Sequence, residues 1–175
     1  MSIQQPKALA KNVATVFNKT LLLSAGAGFL AGMRSMMPAA FLSYYFSATH
    51  DFYIPKPFKF LTSSKAPLIT TALAAGEVIA DKLPFTPDRI SAGPLVGRAV
   101  SGAFAGAAIH KVKQENVMAG VIAGAAGAIA SSYIFYYART KGRKKAKAAP
   151  LSAAFTEDAL AIGLGVAIIA AFKNA

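Results

Sequence analysis

The chain has 175 residues, 55% of them hydrophobic and 15% charged, with a mean hydropathy of +0.46. Soluble domains carry about 25% charged residues, and a soluble core of this size could not hide several long apolar runs, so lipid is the expected solvent. The absence of Cys excludes disulfides, thiol catalysis and thiolate metal sites. The net charge of +12 does not point to nucleic acid, because Lys and Arg fall almost entirely between apolar runs.

Residues 1–20 place Leu9, Val13, Val16 and Phe17 at helical spacing among Lys7, Lys11 and Lys19, the pattern of an interfacial amphipathic helix. Residues 21–175 read as a single transmembrane helical domain with five apolar segments. The first, 21–46, would be about 39 Å long as one helix. That exceeds a hydrocarbon core of ~30 Å, so tilt or a break near Pro38 is expected. The second, 66–82, is short and ends before Pro84 and Pro87. The third, 94–111, starts on a Pro that suits a helix N-terminus. The fourth and fifth are 117–139 and 155–172. The second and third are marginal in length and could be re-entrant. With no Trp, an aromatic belt must come from six Tyr and twelve Phe. The fold expected is all-α, a polytopic membrane bundle of four to five transmembrane helices.

Five spans would leave eleven Lys and Arg on the side of the N-terminus and six on the other, which places the N-terminus in the cytoplasm and the C-terminus outside. The densest group, Arg139, Lys141, Arg143, Lys144, Lys145 and Lys147, is expected to meet anionic lipid headgroups. Residues 27–32 match 119–124 at an offset of 92, and Tyr44-Tyr45 fall on Tyr136-Tyr137. On five spans these helices run in opposite directions, the plan of an inverted repeat.

Arg34 lies within the first apolar segment, near mid-depth on this layout. A guanidinium there costs roughly 2.5–3.5 kcal/mol even on the mildest scale, so a counter-charge is required. Glu77 and Asp81 are four residues apart and share a helix face; they suit a cation, a proton relay, or pairing with Arg34 and Arg98. Glu157 and Asp158 follow Thr156 and have two readings, a first-turn complement to the helix dipole or part of a site. Arg34, Glu77, Asp81, Arg98, Glu157 and Asp158 together could line one cavity as a ligand or ion pathway. Neither His50 nor His110 completes a metal set, and no nucleotide fingerprint or nucleophile–base pair is present. An enzyme is therefore not expected, and no cofactor is called for. The glycines at 28, 32, 102, 106, 120, 124 and 127 form smooth faces suited to close helix packing within the bundle or, alternatively, to the seam of a homo-oligomer.

Three strings carry a resemblance. Gly32-Met33-Arg34 with Pro38, then Glu77-Val78-Ile79-Ala80-Asp81-Lys82-Leu83-Pro84, then Glu157-Asp158, resemble a domain-of-unknown-function family of small bacterial integral membrane proteins. Its features are a Gly-x-Arg-x-x-x-Pro motif, a Glu-x-x-Ala-Asp-Lys-x-Pro motif and a late Glu-Asp pair. The resemblance implies membrane class, in a bacterial inner membrane, and supports the choice of residues. It implies no activity. Two functions are expected from the residues: a small transporter or channel-like protein for a small ion or anionic ligand, and a non-catalytic subunit or assembly factor binding partner helices through Gly-rich faces.

Overall fold

The computed structural model describes residues 5–49, 54–80, 90–145 and 150–174, with side chains at 19–49, 54–80, 90–141 and 155–174. Among them the chain is all-helical: α1 (Gln5–Met33), α2 (Met37–Ala48), a short 3-10 helix (Lys56–Thr62), α3 (Ala66–Ala80), α4 (Ala92–Val112), α5 (Val117–Lys145) and α6 (Pro150–Lys173). Three stretches are long and apolar enough to cross a membrane: Ala92–Val112, Val117–Lys141 and Phe155–Lys173. Lys19–Met33 and Ala66–Ala80 are apolar but shorter, about 22 Å each as helices. Helix α1 runs continuously through residue 20.

The centre of the bundle is backbone against backbone. Gly28 of α1 meets the carbonyl of Gly124 on α5, and Gly32 meets the carbonyl of Ala128. Gly106 of α4 meets the carbonyl of Gly120, while a Cβ on Gly102 would come within 2.8 Å of the Ala128 methyl. Side chains larger than hydrogen would force these helices apart, which is how small residues hold helices together when lipid is as apolar as Leu. The Gly-rich faces are thus filled by the chain's own helices. Among the described residues, Gly76, Gly93, Gly97 and Gly163 face open space.

These contacts also fix directions. Gly28 pairs with Gly124 and Gly32 with Ala128, so α1 and α5 run parallel. The inverted repeat expected from the 92-residue offset requires opposite directions, and this correction removes it. The segment 21–46 is not one helix either. It breaks at residues 34–36, close to Pro38, and α2 folds back: Arg34 reaches Asp158 on α6, whereas Phe41 packs on Gly165 and Phe46 on Phe172. Pro at the start of α2 fits a helix beginning there, since its missing N–H has no intrahelical partner.

The reversal at the break puts both termini at one end. Lys19 Nζ donates to the Asn174 carbonyl at 3.2 Å, and Lys113 sits 4.6 Å over the Phe172 ring beside it. The expected opposite placement of the termini is therefore corrected. With these directions the basic run beginning at Arg139 lies at the end opposite Lys19, so the eleven-to-six division that placed the N-terminus inside no longer follows.

Helix α3 packs on α2 and the 3-10 helix, and leaves Leu68, Ile69, Leu73 and Ile79 exposed. Outward apolar side chains also line α4 (Val96, Val100), α5 (Ile122, Ile134) and α6 (Ile162, Val166). Such an apolar exterior is suited to hydrocarbon and would be anomalous in water.

Candidate functional site: charged groups at a helix break

Arg34 follows the last residue of α1. Its N–H still bonds the Leu30 carbonyl at 2.8 Å, and its own carbonyl accepts the Met37 N–H at 3.2 Å. The chain therefore turns within two residues, Ser35 and Met36, whose N–H groups would be orphaned at the start of α2. Met36 offers no side-chain cap. Glu77 supplies one from α3: Oε1 accepts the Ser35 N–H at 2.8 Å and the Ser35 hydroxyl at 2.7 Å, and Oε2 accepts the Met36 N–H at 2.9 Å. A carboxylate also complements the positive end of the α2 dipole. The Ser35 carbonyl is taken by the Ser101 hydroxyl of α4.

The Arg34 side chain is 1% exposed. Its Nε and Nη2 both donate to Asp158 Oδ1, at 2.9 Å and 2.5 Å. Asp158 lies three residues into the apolar stretch Phe155–Lys173, about 5 Å from its start. The pair is thus about one turn inside the apolar layer rather than at the mid-depth expected. Arg98 is buried on α4 one turn from Ser101, on the same face. Glu157, also buried, accepts from Arg139 Nε at 3.0 Å and Nη2 at 2.6 Å.

Four of the expected residues are therefore placed together or nearly so: Arg34 with Asp158, Glu77 at the break, and Arg98 beside Ser101. Glu157 forms a neighbouring pair. Asp81 lies outside the described residues. The dipole reading of Glu157 and Asp158 is corrected: α6 begins at Pro150, so both sit about two turns along it and face arginines instead. Arg139, expected at the lipid headgroups, is engaged by Glu157, while Lys141 is exposed. The side chains of Arg143, Lys144, Lys145 and Lys147 lie outside the described residues.

Ser35 and Ser101 join this cluster without having been singled out in the sequence, and Arg139 was expected at the headgroups rather than against Glu157. A signal for Ser35 existed: a hydroxyl beside a buried Arg and just before a Pro-started helix is well placed to satisfy a break. Nothing local marks Ser101, because its acceptor is 66 residues away. Among the described residues no group of three or more His, Asp or Glu could hold a metal.

Beside this site, α2, α3 and α6 enclose an apolar groove of about 420 Å³, lined by Met37, Phe41, Tyr44, Ala74, Val78 and Ile162. Met37 and Val78 are sequence neighbours of Met36 and Glu77, so the groove runs up to the helix break.

A bundle with an apolar exterior, glycine-welded helices and ion pairs set inside an apolar layer is an integral membrane protein of the polytopic α-helical class. More specifically, residues 21–172 match the family described as "Domain of unknown function (DUF4126)", and the chain belongs to it. No curated protein and no solved structure matches the chain.

Proposed function

We propose that the protein is a small transporter or channel-like protein for a small ion or anionic ligand, working at the Arg34 end of the bundle. The observation that carries this reading is the interrupted helix. Backbone N–H groups at 35 and 36 are turned out of a helix inside an apolar layer and met by a carboxylate from another helix. Irregular backbone at membrane depth is tolerated where it is buried in protein or lines a cavity, and interrupted helices are where many transporters bind ions. Arg34 supplies a permanent positive charge with a planar fork of donors. In this reading an anionic ligand competes with Asp158 for that fork, and Glu77 keeps the break open. Arg98 adds a second buried cation, and no covalent chemistry is needed.

The membrane is a bacterial inner membrane, and the basic residues Lys141, Arg143, Lys144, Lys145 and Lys147 meet anionic headgroups. The alternative role, a non-catalytic subunit or assembly factor, has one supporting observation. The outer face of α3, with Leu68, Ile69, Leu73 and open Gly76, is free to receive a partner helix.

Flux assays in proteoliposomes decide between the two. Arg34→Gln and Asp158→Asn should each abolish uptake of the transported ion while Gly76→Leu leaves it intact. Retained flux in both charge variants rejects the transport reading. Loss of a co-purifying membrane protein with Gly76→Leu alone favours the subunit reading.

A further inference from the structure

The opposite end of the bundle holds a second polar cluster that the Arg34 site does not use. His110 stands in the last turn of α4 and is fully buried. Neither ring nitrogen has a hydrogen-bond partner within 3.5 Å, although the Asn116 backbone lies beside the ring. Its Nδ1 lies 3.8 Å from Glu115 Oε2, which is likewise buried and unpartnered. The other carboxylate oxygen, Oε1, accepts the Thr20 hydroxyl of α1 at 2.9 Å.

The backbone is bent to put Glu115 there. The Glu115 N–H bonds the His110 carbonyl at 2.9 Å and the Gln114 N–H bonds the Lys111 carbonyl at 3.2 Å, a Schellman ending of α4. Glycine usually occupies the left-handed position of that motif, but here Gln114 takes it at φ 56°. A side chain in this region costs of order 1 kcal/mol, and the turn is held in a shape that returns the carboxylate over the ring. On the α5 side, a Cβ at Gly120 would lie 2.6 Å from the His110 ring. The imidazole is therefore fitted into a slot, with the Glu115 carboxylate and the Asn116 backbone in front of it.

Buried polar atoms are nearly always paired, and each one left unmade costs about 1–3 kcal/mol. Two ring nitrogens and a carboxylate oxygen in one slot therefore ask for an occupant. A separation of 3.8 Å is too long for a hydrogen bond, yet a small ring rotation or one bridging water closes it once the ring carries a second proton. We propose that His110 and Glu115 form a proton-binding site, with Thr20 orienting the carboxylate. A proton arriving from bulk water adds to the imidazole and makes an imidazolium facing the Glu115 carboxylate. Its return to water restores the neutral ring, so charge and atoms balance with no other reactant.

The surrounding charges leave Glu115 as the only carboxylate at this end among the described residues. Lys19 from α1 is held by the Asn174 carbonyl, and Lys113 lies over the Phe172 ring. Burial holds the Lys113 ammonium below the ordinary lysine range, with Glu115 opposing that effect. Lys111 and Lys173 are exposed to the outside of the bundle. Asn116, just before α5, and Gly120 on it complete the neighbours, and neither titrates.

The test uses the full chain in lipid nanodiscs, labelled with ¹⁵N-histidine, in a His50→Gln background that leaves one imidazole. The ring nitrogen shifts should titrate in a single step as the pH is scanned from about 8 down to about 4. Glu115→Gln should lower the ratio of charged to neutral ring about tenfold at a given pH, as expected on losing an opposite charge at this range. Glu115→Asp keeps the charge but retracts it, and should fall between the two; it serves if the Gln variant does not fold. Ring shifts that stay flat across that range overturn the proposal. So does a titration that neither Glu115 variant moves, because the carboxylate would then not hold the proton.

Discussion

Replacing Asp158 by Ala tests the charged break most directly. Arg34 is 1% exposed and cannot shed its charge, so the variant leaves a buried guanidinium without the carboxylate oxygen that takes its Nε and Nη2. Hydrogen bonds to charged groups contribute about 1.5–3 kcal/mol each, so two of them give about 3–6 kcal/mol. That overlaps the measured cost of removing one partner of a buried pair, about 3–5 kcal/mol. In a chain of this size the melting temperature should fall by about 10 °C. Arg34→Met should cost less, because the carboxyl left behind can take up a proton. The double variant Arg34→Met with Asp158→Leu should lose much less than the two singles added, since a buried pair replaced by apolar groups is often near neutral. Thermal unfolding in detergent, followed by far-UV circular dichroism, reads all three in a protein without Trp or Cys. The reasoning is refuted if Asp158→Ala melts within about 2 °C of the parent, or if the double variant equals the sum of the singles.

The remaining tests probe the break, the glycine weld and the topology. Glu77→Ala removes the acceptor for the Ser35 and Met36 N–H groups and should cost about 1–2 kcal/mol, as loss of a helix cap does; an unchanged melting temperature would show that the cap is not needed. Gly124→Ala places a methyl against the Gly102 carbonyl and should destabilise by about 1–3 kcal/mol or more, whereas Gly76→Ala meets nothing and should stabilise by about 0.5–1 kcal/mol. Equal melting temperatures for the two glycine variants would disprove the backbone contact between α4 and α5. Because the chain has no native Cys, single cysteines report sidedness cleanly. Lys19→Cys and Asn174→Cys should react with an impermeant maleimide from one side of the membrane and Thr140→Cys from the other. Labelling of Lys19→Cys and Thr140→Cys from the same side would contradict the fold-back of α2.

Much of the site was visible in one dimension. An ionised Arg in an apolar run must be compensated, and Arg34, Glu77, Arg98, Glu157 and Asp158 all prove to be set into the bundle at one end. Their pairing was not visible. Glu77 and Arg34 looked like natural partners, yet the guanidinium goes to Asp158, 124 residues on, and Glu77 goes to backbone N–H groups. Local pattern records which residues are charged and on which face of their own helix; which charges meet depends on how helices are set side by side.

The same division holds for the architecture. Hydropathy, glycine spacing and the absence of Cys are properties of short stretches, and they alone determined lipid solvent, helical segments and close helix packing. Pro38 marked a helix boundary, because a residue without an N–H is at home in a first turn. Whether the chain goes straight on or doubles back there is a different matter. It depends on an acceptor 42 residues away that receives the Ser35 N–H, and on Phe46 finding Phe172 near the far end of α6. Helix direction leaves no trace in a local sequence, since a Gly-rich face packs parallel or antiparallel with equal ease. The parallel run of α1 and α5, the meeting of Lys19 with Asn174 and the placement of Arg139 at the opposite end were therefore decided only by the tertiary contacts.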